Sequence, residues 1–182
     1  MMREIRIHAR AGQGAITTAV ILGEAFFIEG KFAFAFPHFG AARMGAPMNA
    51  FVRIDDKPIR LRSQIYEPDY LVIVDPTLMR GFNCFAGLKD DGAAVVNLEN
   101  DTVLPVSKKT QKVFGVPANE IALKTIGRPL GNTALLGAFA AATKEIKLES
   151  LFEAINKKFN SKIADLNIKA AQAGYDYILG GK

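Results

Sequence analysis

The chain has 182 residues, a formal charge of +5, 49% hydrophobic and 23% charged residues. That length fits one domain able to bury about 70% of its extended-chain surface, and that composition excludes a disordered, collagenous or coiled-coil chain. The single cysteine, Cys84, and two histidines, His8 and His38, exclude a disulfide framework, a four-thiolate iron–sulfur cluster or a structural zinc quartet built by this chain alone.

Residues 3–8 alternate, with Ile5 and Ile7 on one face, and predict a strand. They run into Ala9-Arg10-Ala11-Gly12-Gln13-Gly14, after which residues 15–28 predict a helix stopped by Gly30. Phe32-Ala33-Phe34-Ala35-Phe36 is apolar on both faces, which predicts an interior strand covered by helices. Beyond a loop over 37–47, residues 48–54 and 59–63 flank Asp55-Asp56-Lys57-Pro58 and predict a hairpin, with Arg60 and Arg62 sharing one face of its second arm. Residues 70–74 form a near-continuous apolar run ending in Asp75-Pro76, the pattern of a buried parallel strand with a functional or capping acid at its end. Further strands are predicted at 93–97 and 111–116, a helix opening at 117–120, and helices at 132–143, 148–159 and 163–179. Alternation of β and α at these lengths predicts a single α/β domain over 1–182, a doubly wound, mostly parallel sheet flanked by helices with an inserted β-hairpin.

The charge is uneven: seven of the nine arginines, Arg3, Arg6, Arg10, Arg43, Arg53, Arg60 and Arg62, fall in the first 62 residues. Guanidinium groups suit ion pairs, protein interfaces and phosphate, so a polar partner is expected to dock on this third of the chain. No basic run or aromatic signature supports nucleic acid as that partner. The longest uncharged stretch, 129–143, has 15 residues, short of the ~20 needed to cross a bilayer. With a free thiol and no leader pattern in residues 1–7, the cytoplasm is the expected compartment.

Strand, Gly12-Gln13-Gly14, then helix is a context that exposes backbone amides to an anion. The dinucleotide fingerprint needs a third glycine where Thr17 stands and an acid where the second strand closes in Phe36-Pro37, so NAD binding is disfavoured. A tight turn without ligand, a different phosphate or carboxylate, or a partner chain all remain open. His8 and His38 are expected to be hydrogen-bonded or packed rather than catalytic. Cys84 has no basic neighbour in sequence and is expected to be a buried thiol. Asp75 is the best isolated candidate, as a ligand-crevice acid or as a helix cap.

Arg10-Ala11-Gly12-Gln13-Gly14-Ala15, then the block from Phe36 to Pro47 (Phe-Pro-His-Phe-Gly-Ala-Ala-Arg-Met-Gly-Ala-Pro), then Phe51-Val52-Arg53-Ile54 and Ile59-Arg60-Leu61-Arg62-Ser63, resemble the gamma subunits of pyruvate and other 2-oxoacid:ferredoxin oxidoreductases. The resemblance implies a complex that converts 2-oxoacid and coenzyme A to acyl-CoA and CO₂ and passes electrons to ferredoxin. It implies partner alpha, beta and delta subunits that carry thiamine diphosphate, Mg²⁺ and [4Fe–4S] clusters, with none of these bound tightly by this chain. Gly40, Arg43, Gly45, Ala46 and Pro47 match the family's G-x-x-x-R-x-G-A-P pattern. Gly12, Gln13, Gly14, Arg43, Gly45, Arg60 and Arg62 are then the candidate residues, either for coenzyme A phosphates or for the subunit interface. The chain is expected to be non-catalytic alone, with self-association of the isolated chain left open. A free-standing Rossmann-like nucleotide-binding enzyme and a basic binding module are the alternatives.

Overall fold

The strongest periodic signals in the chain fold as the sequence predicts. A computed structural model describes residues 1–38, 43–98 and 110–180; Phe39, Gly40, Ala41 and Ala42 of the second motif block lie outside the described residues. The elements are β1 (Arg3–Arg10), α1 (Ala15–Ile28), β2 (Phe32–His38), β3 (Pro47–Asp55), β4 (Tyr70–Ile73), a 3-10 turn (Pro76–Arg80), β5 (Ala93–Asn97), β6 (Lys112–Val116), α2 (Ala118–Thr125), α3 (Asn132–Thr143), α4 (Leu148–Lys158) and α5 (Ser161–Leu179). The strands form one six-stranded sheet in the order β2-β3-β1-β4-β5-β6. β1, β4, β5 and β6 are parallel, while β3 runs antiparallel to both β1 and β2. The α/β class and the mainly parallel sheet match the expectation.

Three details differ from it. The inserted hairpin pairs β2 with β3, and residues 59–63 form no strand. The carbonyls of that segment are taken instead by a side chain: Arg53 Nη1 donates to Leu61 O at 3.4 Å and Ser63 O at 2.7 Å, and Arg53 Nη2 to Gln64 O at 3.3 Å. β2 is an edge strand, not an interior one. Its two apolar faces are explained by cover of two kinds: Ala33 and Ala35 pack into the helical core, while the Arg53 and Arg62 guanidiniums lie 5.5 and 4.0 Å from the ring centres of Phe36 and Phe34.

Finally, among the described residues the helices gather on one face of the sheet. α1, α3, α4 and α5 share a core with Ile5, Ile7, Val52, Val72 and Val95. On the second face Leu71, Ile73, Ala94 and Val96 pack under Leu78, Cys84 and Leu88, from the 3-10 turn and the irregular chain after it. In the helical layer α3 and α5 touch backbone to backbone. A Cβ on Gly137 would lie 1.8 Å from Ala171 O, and one on Gly174 2.0 Å from Ala134 O. Among the described residues no helix is long and apolar enough to cross a membrane.

Candidate functional site

β1 and β4 are adjacent and parallel, and the chain leaves them toward opposite sides of the sheet. The crevice beyond the carboxyl ends of such a strand pair is where α/β sheets bind ligands. Here it is filled by the glycine loop and Asp75. Gln13 spans the two: its Oε1 accepts from Arg10 N at 2.7 Å, and its Nε2 donates to Asp75 Oδ2 at 2.7 Å. Asp75 caps the 3-10 turn by accepting from Thr77 N at 2.9 Å and Thr77 Oγ1 at 2.6 Å, and Arg10 Nε lies 3.2 Å from its other oxygen. Burial alone would raise this carboxyl, but the hydrogen bonds from Thr77 and Gln13 and the Arg10 charge together hold it below the usual carboxylate range. The capping expectation for Asp75 is therefore met, and the acid also braces the loop.

The loop itself is shaped by Gly12 and Gly14, with φ of 96° and 78°, in the left-handed region that side chains disfavour. Gly14 is the N-cap of α1 and offers no side chain to cap with. α3 starts beside it, also without a side-chain cap; Asn132 Nδ2 donates to Gln13 O and Thr18 Oγ1, both at 2.8 Å. Two helix N-termini thus meet at one corner; the first turn of α3 is buried there, with Thr133 and Ala134 covered, while Ile16 in the first turn of α1 is exposed. Beside them runs a groove of about 510 Å³, lined by Gly12, Gly14, Thr17, Arg128, Leu130 and Ile163 among others.

The second motif block closes onto the first. Ala11 N donates to Ala46 O at 2.8 Å, Gly45 N to Ala11 O at 3.0 Å, and Arg10 Nη1 to Gly45 O at 3.1 Å. Met44 lies over Gly12, where a Cβ would meet its sulfur at 2.6 Å. Arg43 and Gly45 are exposed. The structure therefore brings Gly12, Gln13, Gly14, Arg43 and Gly45 to one corner, with the Gln13 side chain spent on internal bonds.

Arg60 and Arg62 are placed elsewhere. Both are exposed on the segment that crosses the second face, where Arg62 lies over Phe34 and donates to Ile59 O at 3.3 Å. Phe34 pairs with Arg53, six residues along β3 from Pro47, the partner of Arg10; that is about 20 Å of strand.

Two of the other arginines, Arg6 and Arg53, are buried, and Arg3 and Arg10 are partly covered, which the sequence did not reveal. Arg3 pairs with Asp69 at 3.1 Å and Arg53 with Glu4 at 2.7 Å. Arg6 Nε donates to His8 Nε2 at 3.0 Å, and its Nη2 reaches Cys84 O at 3.2 Å, so Cys84 has a basic neighbour in space that its sequence context lacks. Burial, then the Arg6 charge, push His8 down to about 4, and burial pushes the Cys84 thiol up. The available signal was the alternation of β1, which sets Glu4, Arg6 and His8 on the face opposite Ile5 and Ile7. His38, at the end of β2, has its ring nitrogens 3.0 and 3.2 Å from Gln64 Nε2.

Residues 4–177 match the family model for pyruvate ferredoxin/flavodoxin oxidoreductase. The chain is 48% identical over 178 residues to the pyruvate/ketoisovalerate oxidoreductases common subunit gamma of Pyrococcus furiosus, covering 96% of each chain. It is 49% identical to the pyruvate synthase subunit PorC of Methanocaldococcus jannaschii, covering 98% of each. The crystal structure of the pyruvate oxidoreductase subunit PORC from Thermotoga maritima superposes with a TM-score of 0.81 at 37% identity, over 96% of both chains. This chain belongs to the pyruvate ferredoxin/flavodoxin oxidoreductase family.

Proposed function

We propose that this chain is the gamma subunit of a cytoplasmic, pyruvate-type 2-oxoacid:ferredoxin oxidoreductase, assembled with alpha, beta and delta subunits. Its role is that of a scaffold whose glycine-loop corner also holds the phosphate end of coenzyme A. The observation that carries this reading is the corner itself, where two helix N-termini without side-chain caps meet beside the exposed Arg43. Helix dipoles favour an anion there, and a guanidinium fork adds a charge-assisted partner. Gly12 and Gly14 give the loop its left-handed turns, and Met44, exposed over Gly12, would swing aside for a phosphate to reach the backbone.

Coenzyme A, when bound, supplies the thiol that accepts the acyl group. This chain's share is to fix the far end of that molecule, with Gln13 and Asp75 keeping the loop rigid. Arg60 and Arg62, about 20 Å away along β3, fit contact with partner chains. One cysteine in the chain cannot ligate a [4Fe–4S] cluster, and no group of three or more His, Cys, Asp and Glu among the described residues could hold a metal ion. On this reading thiamine diphosphate, Mg²⁺ and the clusters belong to partner subunits, as the family resemblance implies, and electrons reach ferredoxin through them.

The isolated chain is expected to show neither oxidoreductase activity nor iron–sulfur absorbance, with activity recovered on assembly with the partner chains. Turnover of pyruvate by the chain alone would overturn the reading. In the assembled complex, Arg43→Ala is expected to raise the apparent KM for coenzyme A more than that for pyruvate. If assembly alone suffers, Arg43 belongs to the interface and the corner is scaffold only.

A further inference from the structure

Four arginines of the N-terminal third, Arg6 and Arg53 buried and Arg3 and Arg10 partly covered, are held by other parts of the chain, and they are not neutralised alike. Arg3, Arg10 and Arg53 each have a carboxylate within 3.2 Å, from Asp69, Asp75 and Glu4. Arg6 is 7% exposed and has no such partner among the described residues. Its Nε donates to His8 Nε2, its Nη1 to Ile65 O at 3.4 Å and Tyr66 O at 3.3 Å, and its Nη2 to Cys84 O at 3.2 Å and Ala86 O at 2.5 Å. Every acceptor is neutral. A buried charge left without a counter-charge is unfavourable, and satisfied hydrogen bonds only lessen that cost.

This guanidinium lies in the wall of a cavity of about 380 Å³ on the second face, lined also by His8, His38, Asn49, Leu78 and Phe82 and, among the described residues, by no acidic one. One large aromatic residue of the lining stands in water, and a second is exposed where its carbonyl meets Arg6. Phe82, on the lining, is 56% exposed, and Tyr66, whose carbonyl Arg6 holds, is 70% exposed. Exposed aromatics around a desolvated charge are the composition of an interface hot spot with its water-excluding ring.

We propose that this cavity is a socket for an Asp or Glu side chain of a partner subunit of the same complex. The proposal rests on the subunit reading above. Arg6, with its donors spent, supplies the charge; the Asn49 amide and His38 supply hydrogen bonds; Phe82 and Tyr66 pack against the partner chain and close the mouth. A free small carboxylate would answer the charge but leave both aromatic side chains in water, which is why a protein carboxylate fits better.

The test uses the chain co-assembled with its partner subunits. Asn49→Ala, which removes the amide's hydrogen bond alone, is expected to weaken assembly about tenfold, and Asn49→Asp, which also gives the socket an acid of its own, about a hundredfold or more. A photoreactive residue at Phe82, which does not disturb the core, is expected to crosslink to a partner peptide containing Asp or Glu. Normal assembly of Asn49→Asp, or a Phe82 probe that crosslinks to no partner chain, would overturn the socket. So would a His8 ring signal that still moves with millimolar acetate in the complex, because the cavity would then be open to free carboxylates. Failure of the wild-type chain to assemble would instead overturn the subunit reading.

Discussion

On one face of the sheet, small residues let helices come close. On the other, arginines reach out to hold chain that has no regular structure. The helical side is a packing problem, solved by Ala and Gly at α3 and α5 and by Ile, Val and Leu on the strands beneath. The second side is a hydrogen-bonding problem. Residues 59–66 and 84–86 carry carbonyls with no neighbouring strand, and Arg53 and Arg6 supply the donors a strand would have given. Buried backbone acceptors have to be paired somewhere. The difference teaches that an arginine-rich segment is not by itself a docking surface, since part of its charge is structural.

The sharpest break of this comparison is on the helical side. Alanine in place of glycine in a helix interior normally gains stability. At Gly137 and Gly174 the sign reverses, because the added Cβ would sit 1.8 or 2.0 Å from a carbonyl oxygen of the facing helix. Gly137→Ala or Gly174→Ala is expected to cost about 4 kcal/mol or more, read by urea denaturation. A change below about 1 kcal/mol would mean that α3 and α5 can separate freely.

Next in size is Arg53→Met. It keeps the apolar stem but strips Glu4 of its charge partner and three carbonyls of their donor, so about 3–5 kcal/mol is expected. Faster protease cleavage within residues 57–66 should accompany the loss. Unchanged cleavage would show that this segment is held by something other than Arg53.

His8 gives the second face a pH dependence of known sign. Buried beside Arg6, it titrates near 4 in the folded chain against 6.5 ordinarily. Above pH 6.5 it is neutral in both states and costs nothing. Between there and about pH 4 the unfolded chain takes up a proton that the folded chain refuses, so stability falls as pH falls, by about 3 kcal/mol in all, and then levels off. Denaturation midpoints across this range should flatten in His8→Asn; an equally steep fall in that variant would assign the effect to other groups.

The same division governs how much could be read from the residues alone. The helical face writes itself into the sequence as periodicity, and α1 and α3 emerge with the predicted limits. The motif blocks around Gly12 and Gly45 are legible as motifs, although their contact through Ala11 and Ala46 depends on antiparallel pairing of β1 with β3, two segments nearly forty residues apart. The second face leaves no period. Residues 59–63 alternate as a strand does, yet their partner is the Arg53 side chain, and nothing local distinguishes a carbonyl held by a guanidinium from one held by a ladder. Arg6 and Arg62 look alike in sequence, one buried and one exposed, because burial is decided by what crosses over them.

Arg62 supplies the smallest and most discriminating prediction. Its guanidinium lies 4.0 Å from the Phe34 ring centre at an exposed site, with one hydrogen bond to Ile59 O. A cation–π contact in water is worth about 0.5–1 kcal/mol, so Arg62→Ala should lower the stability of the chain by no more than that in the denaturation that reads Arg53→Met. If the two variants lose equally, the crossing segment is clamped along its whole length and Arg62 is structural. If the loss is small, the hold is confined to the carbonyls of residues 61–64, and the Arg62 charge is available to a partner chain.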